Sequence, residues 1–173
     1  KDFTNFGLKG VKARITPIYQ TSTYVQEGLG RNKGFEYART SNPTRAALER
    51  NVAALEGGAH GFAFGSGMGA IHAVLSLLSS GDHVVCGENV YGGTFRLLEH
   101  ARNALGLEVT YLDLADLDGV AAAFRANTRM VWIETPSNPL LRLTDIRAVA
   151  DLAGARGAMV VVAVCVVGSS RVE

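Results

Sequence analysis

The chain has 173 residues, of which 47% are hydrophobic and 19% charged, and its formal net charge is +1. This composition excludes a disordered chain, and the near-neutral charge excludes a broad attraction to nucleic acid or to a membrane surface. The longest apolar run covers residues 159–167, which is too short to cross a bilayer. The four histidines have no metal-ligand spacing, so we expect a globular protein with no metal, nucleic-acid or membrane partner.

The two cysteines, Cys86 and Cys165, both lie in apolar runs of the kind that form buried strands. Buried thiols without metal-ligand spacing are typical of a reducing compartment, because disulfides form mainly in oxidising ones. We therefore predict a cytoplasmic protein. The chain begins at Lys1 rather than at a methionine, so we expect its natural start to lie further upstream.

The first part of the chain, residues 1–40, is predicted to form an extended N-terminal arm, and residues 41–173 an α/β domain. Residues 16–24 are rich in hydroxyl side chains, and three glycines within residues 28–34 indicate a flexible loop. No partner for this arm is evident nearby in the sequence. Two interpretations therefore stay open: a frayed terminus, or an arm that crosses to another subunit.

After the arm, apolar patterns of helical and strand period alternate along the chain. Asn42 is expected to cap the first helix, and Pro43 to occupy its first turn, where the missing N–H costs nothing. Helices are predicted at residues 43–56, 71–78, 95–105, 117–125 and 145–155, and strands at residues 62–64, 83–86, 107–112, 130–133 and 159–162.

Strands that alternate with helices indicate an α/β fold with a mostly parallel sheet and helices on both faces. Ligands of such sheets bind beyond the carboxyl ends of the strands. The loops at residues 65–69, 87–93 and 134–139 follow strand patterns and carry polar groups. We expect these three loops to converge on one edge of the sheet.

The glycine-rich turn from Gly65 to Ala70 lies between a strand pattern and a helix pattern. Such a turn directs backbone N–H groups and the positive end of a helix dipole at one point, which suits a phosphate. The turn also matches the dinucleotide pattern G-x-G-x-x-A, with Glu88 about twenty residues later as a ribose-binding acid. The residues alone leave three possibilities open, namely a dinucleotide, another phosphate-bearing cofactor and a purely structural turn.

Several side chains in or near these loops could serve a ligand. Tyr37 and Arg39 lie two residues apart, so in an extended segment both point the same way and could clamp a phosphate. Tyr91 could stack on a flat ring or hydrogen-bond a reacting group, and Asn138, between two prolines, could address a ligand oxygen. Arg96 begins a helix, an unfavourable place for a cation unless an anion is near. Solvated or half-buried structural roles remain the alternative for each.

Four stretches of the chain together resemble a known family. They resemble the pyridoxal-phosphate (PLP) enzymes of cysteine and methionine metabolism, which include cystathionine γ-lyase, cystathionine γ-synthase, methionine γ-lyase and their sulfhydrylase relatives. The resemblance extends from Thr16 to Val162, and the motifs are specific as a set. They are Tyr37-Ala38-Arg39-Thr40-Ser41-Asn42-Pro43-Thr44, Ser66-Gly67-Met68, Val90-Tyr91-Gly92-Gly93-Thr94 and Trp132-Ile133-Glu134-Thr135-Pro136-Ser137-Asn138-Pro139.

The resemblance implies a type I PLP-dependent aminotransferase-like large domain and a homotetramer of paired dimers whose active sites are shared between subunits. It implies that Gly67 and Met68 give backbone N–H groups to the phosphate of pyridoxal 5′-phosphate. Tyr37 and Arg39 would reach the phosphate of the neighbouring subunit's cofactor. Tyr91 would stack on the pyridine ring and assist proton transfer.

The resemblance further implies that Asn138 bonds the ring hydroxyl and that Glu134 and Arg96 lie near a small amino-acid substrate. The implied activity is that of a lyase or transferase acting at the γ-carbon of sulfur amino acids or homoserine esters. Gly93 stands where methionine γ-lyases carry a cysteine, which favours the cystathionine or homoserine-ester enzymes.

The chain departs from the family pattern after Val162. The family continues there with Asp-Asn-Thr, whose acid pairs with the ring nitrogen, and later with a Ser-x-Thr-Lys stretch, whose lysine binds the cofactor covalently. Here Ala163-Val164-Cys165 follows, and the lysines of the chain are Lys1, Lys9, Lys12 and Lys33. Without both groups covalent catalysis of this type fails, so the chain as written is expected to be inactive. An inactive binding remnant and a dinucleotide-dependent oxidoreductase are the alternative functions.

We interpret the departure as a segment of several tens of residues that is absent between Val162 and Ala163. Three explanations compete: the sequence joins two parts of a longer chain, the segment is deleted, or the tail to Glu173 is frameshifted. An intact mass more than twice the 18.3 kDa of this chain would support the first explanation. A mass near 18.3 kDa would exclude it.

Overall fold

The computed structural model describes residues 16–137 and 139–164. These residues form two compact units, residues 16–63 and residues 64–164, and each unit is described by itself below. Asn138, predicted to address a ligand oxygen, and Cys165, predicted to be buried, lie outside the described residues.

The first unit contains one helix, α1 (Pro43–Leu55), within its described residues. Asn42 caps it as predicted, because the Asn42 side chain accepts hydrogen bonds from the backbone N–H groups of Thr44 and Arg45. Pro43 occupies the first helical position, where no partner for its nitrogen is needed.

The arm pairs with the segment that leads into α1. The N–H of Tyr24 donates to the carbonyl of Glu36 (3.1 Å), and the N–H of Ala38 donates to the carbonyl of Ser22 (2.7 Å). An antiparallel bridge joins Thr23 to Tyr37 between them. The expectation that the arm lacks a partner nearby in the sequence is therefore wrong, because its backbone groups are satisfied locally.

The second unit is a four-stranded parallel sheet in the order β2-β1-β3-β4, flanked by helices. The predicted α/β fold with a parallel sheet is confirmed. Its elements are α2 (Gly67–Leu75), β1 (His83–Gly87), α3 (Gly92–Leu105), β2 (Glu108–Leu112), α4 (Leu117–Ala123), β3 (Thr128–Glu134), α5 (Ile146–Gly154) and β4 (Met159–Ala163).

Both faces of the sheet are buried, as short continuous apolar strands require. On one face Val85 and Val131 pack with Val149 of α5, within a cluster that also includes α4 residues. On the other face Cys86 and Trp132 pack with side chains of α2 and α3 such as Leu98. Successive residues of β1 alternate between the two clusters, because side chains along a strand point to opposite faces.

The predicted strand at residues 62–64 is not observed. Phe62 is 77% exposed and Phe64 49% exposed, and within the described residues no strand pairs with this stretch. An isolated apolar run has no ladder to join, so it does not form a strand. The α3 helix also begins at Gly92, earlier than the predicted residue 95.

The apolar stripe of α1, formed by Leu48, Val52 and Leu55, remains about half exposed. The spacing of these residues puts them on one helix face, as an amphipathic pattern predicts. The described residues therefore cover these three side chains only in part.

Strand β4 runs through Val162 and Ala163, which pair in register with Ile133 and Glu134. We predicted that a segment is absent between Val162 and Ala163, and this stays a prediction. The predicted limits of the arm and of the domain also stay predictions. Within residues 16–137 and 139–164, no helix combines the length and apolar character that a membrane crossing needs.

A fully buried histidine, His83, begins the central strand β1. Its Nδ1 pairs with the Thr128 hydroxyl at 2.8 Å and its Nε2 with the Thr110 hydroxyl at 2.9 Å. Burial lowers the pKa of His83, and the nearby Arg125 lowers it further, while Glu108 opposes the shift. The folded protein therefore resists protonation at this position.

We predict that the free energy of unfolding decreases as the pH falls below about 6.5, the ordinary pKa of histidine. The pKa of His83 is lowered in the folded state, so the unfolded chain takes up the proton first, and the stabilisation is complete only above this pH. His83→Gln should flatten this dependence, which cannot exceed about 1.4 kcal/mol per pH unit for one group. Urea unfolding between pH 5.5 and 7.5 measures it.

The exposed His100 supplies the control. The pH dependence of the free energy of unfolding is measured for His100→Gln in the same way, because this variant removes an exposed histidine. An equal flattening in both variants would contradict the role given to His83.

Candidate cofactor site at the carboxyl edge of the sheet

The first component of the site is the start of α2. Ser66 caps this helix, since its hydroxyl accepts the N–H of Gly69 at 3.1 Å and its carbonyl accepts the N–H of Ala70 at 3.2 Å. The N–H groups of Gly67 and Met68 have no hydrogen-bond partner among the described residues. Two free donors at the positive end of a helix dipole fit a phosphate group.

The second component is the start of α3, which lies against the start of α2. A side chain on Gly93 would overlap the ring of Tyr91 at Cε1 and would place its Cβ 2.7 Å from Sδ of Met68. The ring of Tyr91 and the Met68 side chain thus occupy the space that any other residue at position 93 would fill. Glycine at this position is what allows the Tyr91 ring to approach Met68.

An open cleft of about 320 Å³ joins these groups. Its wall includes Arg96, which is exposed and forms no ion pair within the described residues. An unpaired guanidinium beside an aromatic ring and two free N–H groups is suited to an anionic ligand with a flat ring. The lining residues are Met68, Tyr91, Gly93, Arg96, Leu97 and His100.

Glu134 ends β3 and is only 7% exposed. Its Oε2 accepts the backbone N–H of Tyr91 at 2.6 Å, and its Oε1 accepts the hydroxyl of Thr94 at 2.7 Å and Nε1–H of Trp132 at 3.2 Å. The carboxylate is therefore bound by donors of the chain itself. Its predicted place near a substrate stays a prediction.

Sequence reasoning missed the roles of Thr94 and Trp132 in this network. The available signal was the spacing of Trp132 and Glu134, which lie two residues apart and so share one face of β3.

The loop after β3 is closed by Arg142, a residue that sequence reasoning did not single out. Its Nη1 lies 3.2 Å from Oε1 of Glu88 and 3.1 Å from Oδ2 of Asp113, which follow β1 and β2. The backbone N–H of Arg142 donates to the Ser137 hydroxyl, and the Ser137 N–H donates to the Arg142 carbonyl. The loop that contains Asn138 in sequence is thereby tied to the carboxyl edge of the sheet.

In the first unit, Tyr37 and Arg39 contact each other. Nη2 of Arg39 donates to the Tyr37 hydroxyl at 3.1 Å, and its guanidinium carbon lies 5.3 Å from the centre of the ring. The two side chains are therefore on one side of the segment, as their spacing indicates. Their predicted role as a phosphate clamp stays a prediction.

Cys86 is a free cysteine near the carboxyl end of β1, and it is fully buried. Burial raises the pKa of its thiol, and the negative charge of Glu134 raises it further. A buried thiol with a raised pKa is a poor nucleophile, so the cleft offers no cysteine chemistry through Cys86.

Comparison with known proteins gives consistent matches. The profile of the Cys/Met metabolism PLP-dependent enzyme family matches residues 6–170. A cystathionine β-lyase from Lactococcus lactis subsp. cremoris is 53% identical over 84% of this chain and 38% of its own length. A cystathionine γ-synthase from Mycobacterium tuberculosis is 51% identical over 84% of this chain and 38% of its own length.

A solved structure is similar as well. The crystal structure of cystathionine γ-lyase from Lactobacillus plantarum, complexed with L-serine, has a TM-score of 0.81 and 48% sequence identity. The match covers 85% of this chain and 38% of that one. The chain thus spans about two fifths of the length of the curated relatives that it matches.

We predict that Gly93→Ala displaces the Tyr91 ring while the protein stays folded. The added Cβ meets the ends of two rotatable side chains, Tyr91 and Met68, so they move apart at a cost of roughly 1 kcal/mol in stability. Fluorine NMR of protein labelled with 3-fluorotyrosine measures the change, with the Tyr91 signal identified by its loss in Tyr91→Phe.

Gly154→Ala is the matched control, because a Cβ at Gly154 meets nothing within 4 Å. It should leave the Tyr91 signal in place. An unchanged Tyr91 signal in Gly93→Ala would contradict the prediction, because the ring position would then not depend on having glycine at position 93.

Proposed function

Because this chain belongs to the Cys/Met metabolism PLP-dependent enzyme family, we propose that its protein uses pyridoxal 5′-phosphate to act at the γ-carbon of sulfur amino acids or homoserine esters. The observation that carries the proposal is the junction of α2 and α3. There the Met68 side chain, the Tyr91 ring and the unpaired Arg96 line one cleft, and Met68 belongs to the helix start whose Gly67 and Met68 N–H groups are free. The family match favours this cofactor over a dinucleotide for the glycine-rich turn.

The residues of this chain would hold the cofactor at its two ends. Gly67 and Met68 would bind the phosphate, and Tyr91 would stack on the ring, while Tyr37 and Arg39 would reach the phosphate of a neighbouring subunit. Asn138 would bond the ring hydroxyl. When bound, pyridoxal 5′-phosphate supplies an electron sink that makes protons on the substrate carbons acidic.

Arg96 and Glu134 are proposed to serve the substrate. Arg96 would bind a substrate carboxylate, because its guanidinium is exposed in the cleft and has no acidic partner in the described part of the chain. The Tyr91 hydroxyl would assist proton transfer near the reacting carbon. Glu134 would lie near the substrate as a buried carboxylate whose oxygens already accept hydrogen bonds from Tyr91 and Thr94.

Analysis of the products from cystathionine shows which of its two carbon–sulfur bonds is cleaved. Cleavage of cystathionine on the γ side releases cysteine, 2-oxobutanoate and ammonia, whereas cleavage on the β side releases homocysteine, pyruvate and ammonia. We expect either the γ-side products from cystathionine or a replacement reaction in which cysteine displaces the acyl group of an O-acylhomoserine. Activity with methionine should be weak because Gly93 supplies no thiol. Formation of pyruvate from cystathionine instead of 2-oxobutanoate would contradict action at the γ-carbon.

We further propose a cytoplasmic homotetramer in which dimers share active sites. The apolar stripe of α1, exposed on the described structure, supports an assembly that covers it. The free, buried thiol of Cys86 is consistent with a reducing compartment.

We predict that Arg39→Ala weakens the binding of pyridoxal 5′-phosphate tenfold to a hundredfold, roughly the effect of losing a charge-assisted hydrogen bond to phosphate. The affinity for pyridoxal, which has no phosphate, should not change. Titration of the natural full-length protein, followed by cofactor absorbance, measures both affinities.

Arg50→Ala is the control, because Arg50 is also an exposed arginine of the first unit. It should leave both affinities unchanged. If the unmodified protein binds no pyridoxal 5′-phosphate, the proposed function is wrong, and tight binding of NAD would favour the dinucleotide alternative.

A further inference from the structure

Helix α3 differs from the other helices of the described residues in how its N-terminus is capped. Its N-cap residue is Tyr91, whose side chain makes no capping hydrogen bond. The backbone N–H groups of a helix start need an acceptor, and an anion there is favoured by the helix dipole. The other helices are capped by neighbouring side chains, namely Asn42, Ser66, Asp116 and Asp145.

Glu134 supplies the acceptor that α3 lacks. Although it follows Tyr91 by 43 positions in sequence, its Oε2 accepts the Tyr91 N–H at 2.6 Å. Its Oε1 accepts the hydroxyl of Thr94, which lies in the first turn of α3 and is fully buried. A carboxylate at the end of a central strand thus caps a helix from outside the helix's own sequence.

The position of the carboxylate itself is set by β3. Nε1–H of the buried Trp132 donates to Oε1 of Glu134 at 3.2 Å. A buried carboxylate is stable only when donors satisfy it, and here three donors do so. Glu134 therefore links the sheet to the start of α3.

We propose that Glu134 is a positioning residue that orients Tyr91 toward the cofactor. The residue Tyr91 is 44% exposed, so packing alone does not hold its side chain. Its backbone is held instead by the hydrogen bond to Glu134, and Thr94 provides a second point of attachment one turn along. With the Tyr91 backbone and the Thr94 side chain both bound to Glu134, the ring is directed over Gly93 and Met68. The consequence for the cofactor rests on the proposed function.

The first experiment tests the capping without any cofactor. Amide hydrogen exchange of the natural protein is compared with that of Glu134→Gln, whose side chain has the same shape but one acceptor oxygen fewer. Exchange in peptides that cover residues 91–98 should become about tenfold faster, while peptides from α5 remain unchanged. Unchanged exchange at residues 91–98 would overturn the proposal.

Glu99→Gln is the matched control, because Glu99 lies on the same helix and accepts a hydrogen bond from Tyr111 at 3.1 Å. It should not accelerate exchange at residues 91–98. Thr94→Val is the second variant if Glu134→Gln does not fold. It removes one donor and keeps the carboxylate, so it should give a smaller acceleration in the same peptides, and no acceleration would count against the proposal.

The second experiment asks whether Glu134 acts on the cofactor through Tyr91. The dissociation constant of pyridoxal 5′-phosphate is measured for the natural protein, Glu134→Gln, Tyr91→Ala and the double variant. Glu134→Gln should raise it about tenfold when Tyr91 is present and should have no further effect in Tyr91→Ala. An equal effect in both backgrounds, or a raised substrate KM with unchanged cofactor affinity, would overturn the positioning role.

The two experiments separate the two proposals. If the natural protein binds no pyridoxal 5′-phosphate, the proposed function fails, and the exchange measurement still decides whether Glu134 holds the start of α3. If the protein binds the cofactor and Glu134→Gln changes neither exchange nor affinity, only the positioning role fails.

Discussion

The parallel pairing of β1 with β3 is the constraint on which the second unit depends. Because these central strands are buried on both faces and run in the same direction, their carboxyl ends meet at one edge. The loop after β1 leads into α3, and β3 ends at Glu134. The pairing therefore brings the acceptor on one strand to the helix start that follows the other.

The starts of α2 and α3 lie side by side but differ in the charge that already lies at them. At α2, Ser66 satisfies the Gly69 N–H and leaves those of Gly67 and Met68 free. At α3, the Glu134 carboxylate already occupies the positive end of the helix. A phosphate would meet repulsion at α3 and open donors at α2, so the two helices together define one anion position. The ring of Tyr91 then lies beside that position rather than in it.

Much of the fold follows from local patterns. The Asn42 cap and the apolar runs of β1 and β3 are all encoded within a few residues, and each is confirmed. The stretch at residues 62–64 has the same apolar character but no partner strand, and strand formation requires one. The early start of α3 at Gly92 was not predicted for a related reason. The carboxylate that accepts a hydrogen bond at this helix start belongs to Glu134 on β3, far away in the sequence.

The sequence by itself determined the parallel α/β class, the glycine-rich turn at the start of α2 and, through its motifs, the enzyme family, because each of these is written in contiguous residues. Tertiary structure alone decided that Met68 approaches Gly93 and the Tyr91 ring, that Arg142 ties three loops together, and that Glu134 caps α3. These contacts join residues far apart in the chain. They form only when the sheet register is complete, because a hydrogen bond depends on distances of a few tenths of an ångström that no local pattern encodes.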